Sequence, residues 1–384
     1  MIPYGRQNIS SEDISAVERT LKSDYITQGP AVTRFEDRLK GLTGSAHAVA
    51  FNSATSALHA ACLALEVGPG DTVWTSPISF VASANCALYC GASVDFIDIE
   101  TETFNISVQA LAGKLEQARQ QGRLPKVVIP VHMAGQSCDM MQIGALADEY
   151  GFRVIEDASH AVGGRYQDGP VGNCRHSDIT VFSFHPVKII TSGEGGMAMT
   201  QDAGLARLLR LFCSHGITRN PALMDGEGKG AWYYEQITLG FNYRLTDIQA
   251  ALGQSQCSRL AEFVVRRNEL AARYDELLAS LPVVTPAVAG DRTSAFHLYV
   301  VRLAEHERRR AVFDAMRADG IGVNVHYIPI YQQPYYRRLG FAADYCPAAE
   351  AYYRSAISLP LFYELSFAEQ DEVVASLARA LSAA

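Results

Sequence analysis

Lys188 lies in the run Thr180-Val-Phe-Ser-Phe-His-Pro-Val-Lys-Ile-Ile-Thr-Ser-Gly-Glu-Gly-Gly196, where a β-branched and aromatic stretch ends in polar residues, one lysine and a glycine cluster. Its neighbours Val187, Ile189 and Ile190 are too apolar for an ordinary solvated charged face. Desolvation disfavours an ammonium, so a lysine held there has a lowered pKa and a usable neutral amine. Such an amine at the mouth of a sheet can form a Schiff base with a carbonyl. The plain alternative is a surface lysine on a loop, because lysine is seldom fully buried.

Two further stretches bear on that choice. Arg153-Val-Ile-Glu-Asp-Ala-Ser-His160 reads as a short apolar strand ending in an acid, and open α/β sheets take their ligands at the carboxyl ends of strands. Pyridoxal phosphate needs a carboxylate against its ring nitrogen, because a protonated pyridinium is the electron sink for a carbanion, and Asp157 supplies that charge. A lone aspartate after a strand is otherwise a cap or turn former. Ala46-His-Ala-Val-Ala-Phe51 reads as a buried strand, and Asn52-Ser-Ala-Thr-Ser-Ala-Leu-His-Ala-Ala-Cys62 as the start of a helix with Ala57, Leu58, Ala61 and Leu65 on its inner face. Small residues at a helix start let backbone N–H groups approach a phosphate, although Ser and Thr cap ordinary helices too.

Together these stretches resemble the DegT-type sugar-nucleotide aminotransferases, within the fold type I superfamily of pyridoxal-phosphate enzymes. The resemblance runs from Ile2-Pro-Tyr-Gly-Arg6 to about residue 360 and is specific at Asn52-Ser-Ala-Thr-Ser56, Glu156-Asp-Ala-Ser-His160, Phe182-Ser-Phe-His-Pro-Val-Lys188 and Gly240-Phe-Asn-Tyr-Arg244. With Val325-His-Tyr-Ile-Pro-Ile-Tyr331, it is most similar to the branch serving pseudaminic acid biosynthesis, which aminates C4 of a UDP-linked 4-keto-6-deoxy sugar. The resemblance implies that Lys188 is catalytic and that Ala54, Thr55, Phe80, Asp157, His160, Ser183 and Asn242 bind pyridoxal 5′-phosphate, with pyridoxamine phosphate (PMP) as the intermediate form. Phe80 stacks on the ring, Ser183 binds the phosphate, and Asn242 reaches it from the neighbouring subunit of a homodimer. His160 fills the remaining lone pairs of Asp157, as a buried carboxylate requires. Substrate contacts fall to Tyr25, Ile26, Thr27 and Gln28 in one loop and to Asn324, Val325, His326 and Tyr327 in the second domain. Without the resemblance, Phe80 and His160 would pass as core residues and Tyr25 to Gln28 as a plain loop.

The elements positioning these residues follow from hydrophobic period. Ser10 and Ser11 cap a helix over about 12–22 whose Ile14, Val17 and Leu21 form a packed face, and a second helix carries Phe35 and Leu39. Strands are expected near 46–51, 72–76, 93–98, 126–131, 153–156, 179–184 and 196–200. Helices near 54–66, 79–90, 107–120, 138–150 and 202–213 alternate with them. This spacing argues an α/β fold: a large, mostly parallel sheet covered by helices on both faces. After Leu245 come long helices to about 280, a linker over 282–290, a strand at 297–303, a helix over 305–319, a strand at 322–326 and a last helix over 366–382. The expected division is a large cofactor-binding domain, 1–250, and a smaller α+β C-terminal domain, 251–384. Between Ser183 and Asn242, His215 to Trp232 reads as a mobile loop that closes a site, with Arg219 or Lys229 near a diphosphate.

Composition bounds the rest. The chain has 384 residues, is 48% hydrophobic and carries a net charge of -8, which argues against a nucleic-acid partner. Arg308-Arg-Arg310 lies in a helical pattern and reads as a solvated face. The start lacks a basic region followed by an apolar core, and the weakly polar run 77–94 is broken by Ser79, Ser83, Asn85 and Gly91, so a cytoplasmic protein with no membrane span is expected. The eight cysteines lack C-x-x-C spacing and read as buried free thiols. No H-E-x-x-H joins His132, His160 or Asp157 into a metal site, and no G-x-G-x-x-G follows the first strand.

The expected function is a ping-pong transamination from L-glutamate to C4 of a UDP-4-keto-6-deoxy-N-acetylhexosamine. The alternatives are the same chemistry on GDP-4-keto-6-deoxymannose or a dTDP-keto sugar, or a cofactor-binding homolog without turnover.

Overall fold

The computed structural model describes residues 1–383 apart from 168, 227 and 229. Seven strands form the main sheet among the described residues, in the order His47–Phe51, Gly196–Thr200, Ile179–Ser183, Arg153–Asp157, Val127–Ile129, Thr72–Thr75, Ser93–Phe96. Neighbours run parallel except at Gly196–Thr200, which is antiparallel to both of its partners.

Alternation along the strands shows that both faces are covered. Val49, Phe51, Val181 and Ala198 join the core under helices Ala54–Ala64 and Ala203–Cys213. Their neighbours Ala48, Ala50, Phe182, Met197 and Met199 point the other way, to helices Pro30–Thr43 and Asp247–Gln256. Phe35 and Leu39 are fully buried in that second layer, as their spacing requires. The helix Pro30–Thr43 starts on a proline and ends on left-handed Gly44.

Of the two expected caps Ser10 is the one used: its side chain accepts from the Asp13 amide, and Asp13 accepts from the Ser10 amide in turn, a capping box at the start of the helix Ser11–Leu21. Its packed face is not the expected one. Ile14 is 62% and Leu21 56% exposed, while Asp13 is buried against Arg259 and Gln256. The Asp13 bond to Gln256 and its ion pair with Arg259 tie this helix to the end of Asp247–Gln256 and the turn Cys257–Arg259, and Ile14 and Leu21 face outward.

Beyond residue 280, Tyr299–Leu303 pairs antiparallel with Val283–Val284, inside the expected linker, and with Ala356–Leu359, which periodicity did not single out. Helices Leu260–Leu278, Arg309–Ala318 and Phe367–Ala383 share a core with this sheet. The strand expected at 322–326 is not one. Only Asn324 bridges to Ser358, and the Gly322 amide donates to the Ile2 carbonyl, so this segment is tied to the N-terminus. All eight cysteines are free, seven of them buried and Cys90 partly so. No helix among the described residues is long and apolar enough to cross a membrane.

Candidate active site

The carboxyl ends of Arg153–Asp157 and Ile179–Ser183 open into a cavity of about 690 Å³. Past Ser183 the chain folds back on itself: Thr191 Oγ1 and the Ser192 amide donate to the Phe184 carbonyl at 2.9 and 3.0 Å. That closed loop buries Ile189 and Ile190 and leaves Lys188 on the cavity wall. Burial lowers the Lys188 amine to about 8, with Asp157 pulling the other way, although part of the side chain faces the cavity.

Asp157 is 4% exposed and its carboxylate is held from two sides. Oδ2 accepts from Ser83 Oγ at 2.6 Å and Oδ1 from the Ser159 amide at 3.1 Å. His160 is therefore not the partner of this carboxylate. Residues 158–160 form a turn rather than a helix, and His160 Nε2 lies 3.1 Å from Tyr327 OH. Burial, with Lys188 and His326 next, drives His160 well below the usual histidine range and keeps its ring neutral. Its Nδ1 is buried without a partner.

Phe80 precedes the following helix, which begins at Ala82 rather than at 79, and is 61% exposed at the cavity. Opposite, Ser53 caps the helix Ala54–Ala64 by accepting from the Ser56 amide at 3.1 Å. Ala54 and Thr55 line the cavity in that first turn, where amides lack intrahelical acceptors. Gly196 presses against this turn. A Cβ there would stand 2.5 Å from the Ser53 carbonyl and 2.6 Å from the Ala54 nitrogen. Gly196→Ala is expected to cost about 1–3 kcal/mol of stability and to release bound cofactor more readily, as thermal unfolding and dialysis against phosphate buffer would show.

Asn324, Val325, His326 and Tyr327 close the cavity from the C-terminal half. His326 Nδ1 lies 2.8 Å from Ser358 Oγ, and its carbonyl accepts from Tyr352 OH at 2.6 Å. Burial and Lys188 lower His326 to about 4, so it too is neutral.

Not all expected residues meet here. Tyr25 and Ile26 are 55% and 51% exposed, and Tyr25 lines a different cavity of about 600 Å³. The 25–28 loop is fastened to the Asp247 helix instead: the Ile26 carbonyl accepts from the Asp247 amide, and Thr27 bridges to Thr246. Asn242 is exposed, with its carbonyl 3.5 Å from Asn52 Nδ2. Arg219 is exposed, and Lys229 lies outside the described residues. Conversely, Ser83, Ser159, Glu194 and His297 were not singled out from the sequence, yet all stand at or beside the cavity.

Pyridoxal phosphate fits this set of groups. An amine of lowered pKa and a carboxylate face one cavity, a helix N-terminus and Ser183 offer donors to a phosphate, Phe80 offers a bare ring face, and His160 Nδ1 has an unused valence. Only the free amine of Lys188 can add to an aldehyde. Capture of pyridoxal phosphate by cofactor-free protein should therefore quicken about tenfold from pH 7 to 9, because a base of pKa near 8 goes from mostly protonated to mostly free. Stopped-flow absorbance would follow it, and a flat profile would contradict the lowered pKa.

The model of the DegT/DnrJ/EryC1/StrS aminotransferase family matches residues 7–378. The spore coat polysaccharide biosynthesis protein SpsC of Bacillus subtilis is 39% identical over 379 residues, spanning 97% of this chain and 95% of SpsC. Helicobacter pylori PseC, an aminotransferase involved in the biosynthesis of pseudoaminic acid, superposes with a TM-score of 0.91 at 31% identity over 100% of both chains. Spr1654 of Streptococcus pneumoniae, in its PMP form, gives a TM-score of 0.92 at 30% identity over 100% of this chain and 99% of Spr1654, and has also been solved in its PLP form. With the sheet, the amine and the carboxylate arranged as described, this chain belongs to the DegT/DnrJ/EryC1/StrS aminotransferase family and is a fold type I, pyridoxal-phosphate-dependent transaminase.

Proposed function

We propose that the protein transfers the amino group of L-glutamate to C4 of a UDP-4-keto-6-deoxy-N-acetylhexosamine, in the cytoplasm, by a ping-pong sequence. The observation that carries this reading is one cavity holding Lys188 and Asp157 on the sheet side and His326 and Tyr327 on the other. The likeness to PseC supports the sugar substrate, and the 39% identity to SpsC is compatible with other nucleotide sugars.

When bound, pyridoxal phosphate supplies an electron sink for the carbanion formed at the amino donor. Asp157 would stand against the ring nitrogen and keep its proton there. Ala54, Thr55 and Ser183 bind the phosphate, and Phe80 excludes water from one ring face. Lys188 would hold the cofactor at rest, and its Nζ would take a proton from the donor Cα and give one to C4 of the sugar. Asn324, Val325, His326 and Tyr327 orient the sugar. Neutral His326, held by Ser358 at Nδ1 and by Asn324 at Nε2, forms part of the cavity wall without repelling Lys188.

A homodimer completes the site in this reading, with Tyr25 to Gln28 and Asn242 serving a neighbouring copy. The exposed apolar side chains of Ile14, Leu21, Tyr25 and Ile26 support it. Residues 1–250 and 251–384 supply the two walls of the cavity, with the helix Asp247–Gln256 running across that boundary and packed on the main sheet. A panel of UDP-, GDP- and dTDP-linked 4-keto sugars with glutamate, followed by 2-oxoglutarate release, tests the substrate. Fastest release with the UDP N-acetyl sugar is expected, and a faster GDP or dTDP sugar would overturn the nucleotide. No release with any sugar, and no change in cofactor colour with glutamate, would mean a non-catalytic homolog.

A further inference from the structure

Lys188 Nζ lies 3.5 Å from Nε2 of His297, just beyond the usual hydrogen-bond range and close enough to shorten by a small rotation of the lysine. His297 is 4% exposed, and its ring centroid stands 4.4 Å from that of His160. The backbone around it is fixed from several directions. Ala295 N–H donates to the Gly135 carbonyl at 2.9 Å and Leu298 N–H to the Ala134 carbonyl at 3.3 Å. The buried Arg267 guanidinium donates to the carbonyls of Phe296, His297 and Leu361 at 3.1, 3.4 and 3.1 Å. Phe296 itself is held at φ 45°, a conformation side chains seldom adopt. Gly135, at φ +110°, permits the approach: a Cβ there would stand 2.7 Å from Phe296 N and 3.0 Å from His297 N. Such a mount aims one imidazole at one amine and gives it little freedom.

The ring is neutral. Burial first, then Lys188, His160, Arg267 and His326, push His297 well below the usual histidine range. Its Nδ1 has no partner, so Nε2 is the nitrogen that meets another group.

We propose that His297 is a positioning residue for Lys188: Nε2 accepts a hydrogen bond from the amine and fixes the direction in which Lys188 presents its lone pair. This rests on the reading of Lys188 as the proton carrier. An amine on four rotatable carbons otherwise samples many directions, and the loss of orientation at a reacting atom lowers turnover more than binding. The titratable groups around the pair are Asp157, His160, His326, Tyr327 and Arg267.

The test labels Lys188 in cofactor-free protein with acetic anhydride across pH and reads modification by mass spectrometry. His297→Phe keeps the ring shape without the acceptor, and His297→Gln restores a polar atom near Nε2. The native midpoint is expected near 8. The Phe variant should fall by about one pH unit, a tenfold change in the ammonium-to-amine ratio, and the Gln variant should recover most of it. In the reconstituted enzyme kcat should drop about 10- to 100-fold in the Phe variant while KM for glutamate moves less than about threefold. An unchanged midpoint with unchanged kcat overturns the proposal. Should His297→Phe fail to fold, ¹⁵N-histidine spectra of the native cofactor-free protein and of Lys188→Met decide instead: a displaced Nε2 signal is expected, and superimposable signals overturn it. Full turnover in Lys188→Ala would sink the underlying reading separately, whatever His297 does.

Discussion

Lys188→Ala is expected to lose turnover by at least about 10³- to 10⁴-fold while still binding the nucleotide sugar. General acid–base catalysis alone contributes about 10²- to 10⁴-fold, and in the proposed mechanism the same amine also holds the cofactor, so both contributions go together. Borohydride treatment should attach the cofactor to residue 188 in the native protein and nowhere in the variant. Wild-type turnover in Lys188→Ala would refute the assignment.

The substitution should not unfold the protein, and the sign of its stability effect can be derived. The folded amine titrates near 8 against an ordinary value of 10.5. Between those values the unfolded chain binds the extra proton, so native stability rises with pH across that window. Below pH 8 the desolvation penalty is present in full. The alanine variant lacks this term, so cofactor-free Lys188→Ala should melt at an equal or higher temperature than the native protein below pH 8, with the difference closing by about pH 10.5. Melting curves of cofactor-free protein at pH 7 and pH 10 check it, and a difference that grows with pH would contradict the derivation.

What the sequence disclosed and what it withheld differ by the range of the interaction. Lys188, Asp157 and the Ser53-Ala54-Thr55 turn each end a local pattern: an apolar run, then a residue type with a chemical task. They meet because parallel strands deliver their carboxyl ends to one edge. His297 carries no such signal. It sits at the head of the strand Tyr299–Leu303 like any packing residue, and only the docking of Ala295 and Leu298 on residues 134–135 brings it to the amine. Ser83 is similar: a hydroxyl in a helix of small residues acquires its role from a carboxylate on a different strand.

The errors have the same origin. Period 3.6 correctly made Ser11–Leu21 an amphipathic helix, but period cannot say whether its stripe is covered by this chain or left on the surface, and Asp13 took the inner position through Arg259. At 322–326 a β-like composition makes no ladder, because the Gly322 amide is taken by the Ile2 carbonyl. His160 does not reach Asp157 because the carboxylate is already met by Ser83 and the Ser159 amide, and the turn at 158–160 sends the ring to Tyr327 instead.

The second large effect is expected at the carboxylate. Asp157→Asn keeps the size and can still accept from the Ser159 amide, with its NH2 turned to donate to Ser83 Oγ, but it removes the charge that the proposed mechanism sets opposite the ring nitrogen. Removing one partner of a buried, hydrogen-bonded charge pair costs about 2–5 kcal/mol, which corresponds to about 30- to 5,000-fold in rate if expressed in the transition state. The reason to expect the upper part of that range is geometric: Asp157 is 4% exposed, so water cannot replace the lost charge. Ser83→Ala provides the internal scale. It deletes one hydrogen bond to the carboxylate and leaves the charge in place, so it should cost about 1.5–3 kcal/mol at most. Single-turnover rates with glutamate in the two variants separate the readings. If Asp157→Asn reacts within about threefold of the native rate, or no slower than Ser83→Ala, the carboxylate is a turn former and the electron sink is protonated by some other group.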